Sequence, residues 1–214
     1  MKLQILMPSL SELVNADYAS VKSEESERLI IKSLSGLIPS AAPELLQISG
    51  IPGAGKSTFC ATHPKKNYLF LSFDRIMTAL KGYQQELKQN GSVAAFQKYE
   101  MPARIIGYEL LRRALNKKVN IMFEHSGTNK AHLELFRNIR QKGYTTAVDF
   151  IICDTATAIR RAQKRAEETK RYVPETLILE RAAKFKEYMD AYKKETARIA
   201  LFDGGNNFLP LNKI

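Results

Sequence analysis

The stretch that decides the fold is Leu45–Cys60, LLQISGIPGAGKSTFC. It is an apolar run that breaks into three glycines and then Lys-Ser-Thr, and Gly50–Ser57 fits the pattern G-x-x-x-x-G-K-[ST] at every specified position. Glycines permit the tight turn that points successive N–H groups at phosphate oxygens, and a following helix adds the positive end of its dipole. Because the motif follows a strand and precedes a helical segment, it predicts a phosphate-binding loop rather than a chance glycine turn.

The loop residues have distinct expected roles in binding a nucleotide. We expect the Lys56 ammonium to reach the β- and γ-phosphates and the Ser57 hydroxyl to bind Mg²⁺. The remaining nucleotide-binding positions are Gly50, Gly53, Ala54, Gly55 and Thr58. The expected nucleotide is ATP or GTP, because the motif is compatible with both.

Short apolar runs alternate with helical stretches along the rest of the chain. The candidate strands are ELLQIS, NYLFLSFD, KVNIMFEHSG and YTTAVDFIICD, with RIALFDGG as a weaker fifth. This alternation predicts an α/β fold of the P-loop NTPase and kinase type, with a mostly parallel sheet covered by helices on both faces. Residues 9–38 have helical spacing, with Ser9 or Ser11 as the cap. We therefore expect a helical extension over 1–40 and a kinase domain over 41–214.

Composition narrows the class of protein. The chain is 44% hydrophobic, and no apolar run approaches the roughly 20 residues that span a bilayer. The N-terminus is a poor secretory signal, and Cys60 and Cys153 lack the spacing of metal ligands. We expect a cytoplasmic protein with reduced thiols and no membrane contact. The net charge of +11 favours binding either of a polyanion or of a ligand with several phosphates in the active site.

Acidic residues follow two of the strands, and ligands of parallel sheets bind at the carboxyl ends of strands. Asp74 can accept the proton of an attacking hydroxyl, or it can simply cap the next helix. Glu124, followed by His125 and Ser126, can hold Mg²⁺ through water or bind hydroxyls of a substrate. His125 is not expected to act in catalysis, since a lone loop histidine is more often a spacer.

A basic segment, RRAQKRAEETKR at residues 160–171, follows the fourth strand. Arg161 and Arg165 lie one turn apart, and Arg171 precedes Pro174, which is predicted to start the next helix. Phosphoryl transfer needs fixed cations around the migrating group, often arginines of a mobile segment. The segment is therefore interpreted as an arginine-rich lid.

The chain resembles the zeta toxin family of P-loop kinases from about Glu44 to Phe208. The motifs that carry the resemblance are, in this order, GIPGAGKST, the strand-end aspartate, FEHSGT and KRYVPE. The resemblance implies phosphorylation of a sugar hydroxyl on a nucleotide-sugar, UDP-N-acetylglucosamine in the best-known members. It also implies an inhibitory antitoxin-like protein as a partner. It makes Asp74 the catalytic base, Lys56 and Ser57 the phosphate and magnesium residues, and Arg165 and Arg171 the lid arginines. Glu124 and Ser126 would be substrate contacts, and we predict that Arg161 also binds the substrate.

Two departures from the family pattern concern the acceptor. Met77 stands where the family often has an arginine, three residues after the base, although Arg75 is adjacent. The segment after Glu124 lacks the arginine of some members, although Lys130 is close. The acceptor is therefore open, and kinases of this wider group also act on nicotinamide dinucleotides, polynucleotide ends and small drugs.

Two other functions remain as alternatives. The positive charge suggests a polynucleotide kinase, but the sequence has no aromatic-basic stacking platform, so nucleic acid is not the expected partner. A nucleotide-hydrolysing regulator is the last alternative, because no guanine-reading N-K-x-D motif is present.

Overall fold

The structure is a computed structural model that describes residues 18–128 and 130–211, with only the backbone of 130 and 131. Six strands form one sheet in the order β2-β3-β1-β4-β5-β6. The strands are β1 Glu44–Ser49, β2 Tyr68–Ser72, β3 Asn120–Glu124, β4 Thr145–Ile152, β5 Arg198–Asp203 and β6 Leu209–Pro210. β1 to β5 are parallel, and β6 is antiparallel to β5. The mostly parallel α/β sheet is thus confirmed, with β6, only two residues long, as an addition.

The helices surround this sheet and connect its strands. Besides a short helical stretch at residues 18–21, those in the described part are α1 Glu24–Leu34, α2 Lys56–Thr62, α3 Phe73–Ala79, α4 Lys81–Lys117, α5 Lys130–Gln141, α6 Thr155–Thr169 and α7 Glu175–Glu195. α4 is much longer than the sequence pattern indicates and contains a kink at Gly91, where φ is 85°. Over the described residues, no helix has both the length and the apolar character needed to cross a membrane.

The register of the sheet brings three strand ends to one level. Ile48 of β1 and Ser72 of β2 both pair with Glu124, the last residue of β3. β1 continues directly into the glycine-rich loop, and β2 continues directly into α3, which carries Asp74. The loop, Asp74 and Glu124 therefore meet at the carboxyl edge of the sheet, where ligands of parallel sheets bind.

Apolar residues cover both faces of the sheet. Leu45 and Ile121 belong to the larger core, together with α4 and α5, whereas their neighbours Leu46 and Met122 belong to the opposite core. Successive residues of a strand point to opposite faces, so continuous apolar strands require cover on both sides.

The N-terminal region differs from the single helix expected over 9–38. Within the described residues, helix covers 18–21 and then α1, whose N-cap Ser23 accepts from the Ser26 backbone N–H. The Glu27 carboxylate of α1 accepts two hydrogen bonds from Arg113 of α4, at 2.7 and 2.8 Å. Ser9 and Ser11 lie outside the described residues, and the boundary at residue 40 remains a prediction.

Candidate active site

The glycine-rich loop has a backbone conformation that residues with a Cβ could not adopt without strain. Gly53 has φ +86°, and a Cβ there would lie 2.1 Å from the carbonyl oxygen of Ala158 on α6. Gly55, the N-cap of α2, has φ +104° and lies against the Phe208 ring. These conformations are in the region that favours glycine. The loop is thus shaped by the close approach of α6 and of the segment after β5.

Lys56 and Ser57 begin α2 and face the end of β3. The Lys56 ammonium donates to the carbonyl oxygens of Gly50 and Ile51, at 2.8 and 3.1 Å. The Ser57 hydroxyl donates to Glu124 Oε1 at 2.6 Å. Burial lowers the pKa of Lys56, although Glu124 and Asp74 oppose this effect.

The Ser57–Glu124 pair also fits a magnesium ion. Glu124 Oε2 is buried and accepts no hydrogen bond from the described residues. Mg²⁺ prefers oxygen ligands and usually binds through one or two carboxylates together with substrate phosphates and water. A cluster of three or more His, Cys, Asp or Glu side chains suited to a metal is not found in the described part. The ion would therefore depend on the nucleotide as well as on this pair.

Asp74 lies in the first turn of α3 and is not its cap. The N-cap is Ser72, which makes no side-chain cap hydrogen bond, so the capping alternative for Asp74 does not hold. Arg171 donates a hydrogen bond to Asp74 Oδ2. Burial raises the pKa of Asp74, but Arg171, followed by Arg165 and Lys56, outweighs it and holds the pKa below its usual value. The carboxylate is therefore ionised at neutral pH and paired with Arg171.

The other predicted arginines, Arg161 and Arg165, line the same cavity and differ in their partners. Arg165 of α6 has a buried Nε with no hydrogen-bond partner among the described residues, as does Arg171. Burial lowers the pKa of Arg165. Arg161, one turn earlier, donates to the carbonyl oxygen of Gly204 at 2.7 Å. It therefore contacts the loop after β5, and its substrate-binding role remains a prediction.

The loop after β3 is held by short polar contacts. The Ser49 hydroxyl donates to the Ser126 carbonyl oxygen at 2.6 Å. The Gly127 backbone N–H donates to His125 Nδ1 at 2.9 Å, and the His125 ring stacks on His132 with centroids 3.5 Å apart. Burial, and then His132, holds the pKa of His125 well below its usual value. His125 is thus an uncharged residue that lines the site.

A cavity of about 330 Å³ joins these groups. The predicted residues that line it are Gly53, Gly55, Lys56, Ser57, Thr58, Asp74, Glu124, Ser126, Arg161, Arg165 and Arg171. Gly50 and Ala54 belong to the same loop but do not line the cavity. Charged side chains that the sequence did not single out also line it, namely Glu100 and Arg104 of α4 and Arg181 of α7. Glu100 and Arg104 lie far from any motif, Arg181 lies a short way after KRYVPE, and no local pattern marks any of the three.

Comparisons with known proteins agree with this geometry. A family model described as Zeta toxin matches residues 30–209. No curated protein sequence gives a match. A solved structure from work on the PezAT chromosomal toxin–antitoxin system of Streptococcus pneumoniae is similar, with 16% identity and a TM-score of 0.66 over 88% of this chain and 80% of that one.

Two further solved structures share the fold over a smaller part of their own length. An AvrRxo1-ORF1:AvrRxo1-ORF2 complex with ATP is 10% identical, with a TM-score of 0.65 over 88% of this chain and 65% of that one. A Pnkp1/Rnl/Hen1 RNA repair complex is 18% identical, with a TM-score of 0.54 over 71% of this chain and 47% of that one. At these identities the structures show the fold alone. The family match covers most of the chain, and the chain therefore belongs to the zeta toxin family of P-loop kinases.

Proposed function

We propose that the protein transfers the γ-phosphoryl group of ATP or GTP, with Mg²⁺, to a hydroxyl of a nucleotide-sugar or a related small metabolite. The observation that carries the proposal is the position of Asp74, an ionised carboxylate in the cavity that also contains the phosphate loop and the lid arginines. Phosphoryl transfer to an alcohol needs these three elements together, because catalysis depends on positioning and on charge stabilisation.

The donor is bound by the loop and by the lid. The backbone N–H groups of the loop from Gly50 to Thr58 and the Lys56 ammonium bind the phosphates. Ser57 and Glu124 would hold Mg²⁺, which when bound neutralises charge on the β- and γ-phosphate oxygens. Arg165 and Arg171 carry buried Nε–H groups that have no partner among the described residues, and so have donors to offer a phosphate.

Transfer to the acceptor requires the removal of one proton. The acceptor oxygen forms a bond to the γ-phosphorus as the bond to the β–γ bridging oxygen breaks, and Asp74 takes the hydroxyl proton. Arg171 both lowers the pKa of Asp74 and carries charge that can meet the migrating phosphoryl group. Glu124, Ser126 and Arg161 are proposed to contact the acceptor or the donor beside it.

The remaining proposals concern partner, compartment and organisation. One similar structure comes from work on a toxin–antitoxin system, so we propose that an inhibitory antitoxin-like protein binds this chain. We further propose a cytoplasmic site of action, and a helical extension over 1–40 ahead of a kinase domain over 41–214.

The test is mass spectrometry of reactions with ATP, Mg²⁺ and a panel of acceptors: nucleotide-sugars, nicotinamide dinucleotides, nucleosides and a short oligonucleotide. One acceptor should gain a phosphate. The variant Asp74→Asn should lose about 10²–10⁴-fold in transfer rate, the usual contribution of a general base, while its ATP affinity stays within a few-fold.

The matched control is Asp190→Asn, which removes an exposed carboxylate paired with Lys193 and should leave transfer unchanged. ADP without any phosphorylated acceptor, or full transfer by Asp74→Asn, would contradict the proposal. The net charge of +11 keeps a polynucleotide acceptor as the second candidate. Phosphorylation of the oligonucleotide alone, falling steeply with salt, would favour it.

A further inference from the structure

The hydrogen bond from Gly127 determines which nitrogen of the His125 ring carries the proton. His125 Nδ1 accepts from the Gly127 backbone N–H at 2.9 Å. A ring nitrogen that accepts a hydrogen bond carries no proton, whereas an imidazolium ring has a proton on both nitrogens. The ring is therefore the neutral tautomer with its proton on Nε2, and the Nε2–H group is a hydrogen-bond donor.

This Nε2–H group has no partner in the described part of the chain. No described residue accepts a hydrogen bond from it, and Nε2 is not one of the fully buried polar atoms that lack a partner. Nε2 therefore keeps contact with solvent, although the residue as a whole is only 8% exposed. Because His125 lines the cavity, that contact is with the cavity. The residue thus presents an uncharged donor to a molecule that binds there.

Three aromatic rings fix the direction of the donor. The His125 ring stacks on His132 with the ring planes 1° apart, and it meets Phe73 edge-on with 5.7 Å between centroids. Phe123 lies against it as well, at 5.4 Å. His132 is itself in contact with Tyr108, with 3.2 Å between Nε2 and the hydroxyl oxygen. A donor fixed in this way loses little conformational entropy when it binds a ligand.

His125 lies among the residues that the proposed function places at the acceptor. It stands between Glu124 and Ser126 in the loop after β3. Its ring contacts Phe73, the residue that directly precedes the proposed base, Asp74. An acceptor bound against Asp74 is therefore close to this ring.

The cations of the cavity suit a different kind of ligand atom. Lys56, Arg165 and Arg171 carry positive charge, which favours phosphate oxygens. Among the described residues that line the cavity, His125 is the only one with a ring N–H group. Because this group is uncharged, it pairs well with a hydroxyl or carbonyl oxygen, for which it does not have to compete with the donor phosphates.

We propose that His125 Nε2–H donates a hydrogen bond to an uncharged oxygen of the acceptor, a hydroxyl or a carbonyl, and so selects among acceptors. The inference rests on the proposed phosphoryl transfer and adds a specificity-determining residue to it. An acceptor without such an oxygen leaves the donor unpaired in a closed cavity and binds less well. The sequence pattern favoured a spacer at this position, and only the hydrogen bond from Gly127 reveals the donor.

The first experiment observes the donor directly and does not depend on transfer. Proton–nitrogen correlation spectra of protein with labelled histidine nitrogens report the tautomer of each of the three histidines. The His125 signals are those that His125→Asn removes. With Mg²⁺ and a non-hydrolysable ATP analogue already bound, UDP-N-acetylglucosamine or NAD is added. The Nε2 proton of His125 should move to lower field, while the signals of the exposed His63 stay in place.

Two results of this experiment would overturn the proposal. In one, neither probe moves the Nε2 proton signal of His125. In the other, the ATP analogue alone moves the signal to its final position, because the donor nucleotide and not the acceptor would then be the partner of Nε2–H.

The second experiment separates the donor from the loop contact by two substitutions, both of which remove the stack on His132. His125→Asn keeps an oxygen near the place of Nδ1 for the Gly127 N–H and removes the donor. His125→Gln has an amide N–H near the place of Nε2 and loses the loop contact. His125→Asn should raise the KM for the acceptor about three- to tenfold, the usual effect of one hydrogen bond, and leave the KM for ATP unchanged. His125→Gln should recover most of this loss.

The matched control is His63→Asn, the same substitution at an exposed histidine outside the cavity lining, which should leave both KM values unchanged. An acceptor KM that His125→Asn leaves unaltered, or that His125→Gln raises as much, would overturn the role of His125 while leaving the kinase intact. A moved Nε2 proton signal without any phosphorylated product would instead contradict the proposed transfer and support the binding role.

Discussion

On the proposed function, the cavity has a donor half and an acceptor half, and the two are built in different ways. The donor half consists mainly of consecutive residues, 50–58, held at the end of β1 by the turn that their glycines allow. The acceptor half is assembled from α3, α4, the loop after β3 and α7, whose side chains are separated by dozens of residues in sequence. One half is therefore a local motif, whereas the other is a product of tertiary packing.

This difference explains how the two halves can vary. Phosphate binding by the loop depends on backbone N–H groups and one lysine, which tolerate little change. The acceptor walls are side chains of helices that pack on the sheet, so a substitution there alters shape and charge without disturbing the loop. Variants in the two halves should consequently differ in which kinetic constant they change.

The largest of the effects that separate the halves is expected from Lys56→Ala. Because every reaction of the site uses the same donor, transfer should fall by about 10²–10³-fold for all acceptors alike. Steady-state kinetics with two unrelated acceptors provide the measurement. Lys66→Ala, which removes an exposed lysine, is the control and should have no effect. A loss confined to one acceptor would contradict the division into halves.

A smaller and more selective effect is expected from Gly107→Ala in α4. The new Cβ would lie 2.4 Å from Cδ1 of Phe73, so the ring beside Asp74 must move. A displacement of this kind near reacting groups can cost up to about 10²-fold in rate. We expect a lower transfer rate and a higher acceptor KM, with an unchanged KM for ATP, measured by initial rates at varied concentrations of each substrate.

Gly82→Ala is the matched control for this overpacking. It lies on the same helix, and its Cβ would lie 2.3 Å from the Tyr99 hydroxyl, which does not line the cavity. Gly107→Ala should lower stability by about 1–3 kcal/mol, the usual cost of overpacking, and Gly82→Ala should lower it less, because the hydroxyl end of Tyr99 can move aside. If Gly82→Ala changed the acceptor KM as much as Gly107→Ala does, the effect would reflect stability rather than the position of Phe73.

Sequence reasoning predicted the fold, which the structure confirms, and proposed the donor half, because the signals of both are local. The loop motif, the apolar strands and the strand-end residues Asp74 and Glu124 can all be identified from neighbours in sequence. Arg104 and Arg181 could not be found in this way, since only the packing of α4 and α7 brings them to one cavity. The length of α4 was missed as well, because its kink at Gly91 interrupts the helical pattern.

The Ser57–Glu124 contact was also beyond the sequence. Glu124 was expected to bind either the substrate or Mg²⁺, and only the pairing of β1 with β3 reveals that its carboxylate accepts from the Ser57 hydroxyl. A residue's position after a strand predicts that it faces the site. Which half of the site it serves depends on the order of strands, which a single sequence does not specify.

The smallest effect is expected outside both halves, at the contact between α1 and α4. Glu27 accepts from Arg113 and from the Tyr18 hydroxyl, and these bonds lower its pKa to about 2 from the usual 4.5. Because the pKa of Glu27 is lower in the folded protein than in the unfolded chain, the ionised carboxylate stabilises the fold at pH values above its unfolded-state pKa. This contribution is lost as the pH falls from 4.5 towards 2. Glu27→Gln should lower the free energy of unfolding by about 1–2 kcal/mol near neutral pH. It should change neither the KM for ATP nor the KM for the acceptor.

Thermal unfolding of the wild type and of Glu27→Gln at several pH values measures this contribution. The difference between their midpoints should be constant above about pH 5 and shrink on further acidification. Glu24→Gln is the control, because Glu24 is 84% exposed and its pair with Arg28 should contribute little. If Glu27→Gln raised the KM for ATP or for the acceptor, the N-terminal helix would be coupled to the cavity, and the division between the extension and the kinase domain would have to be abandoned.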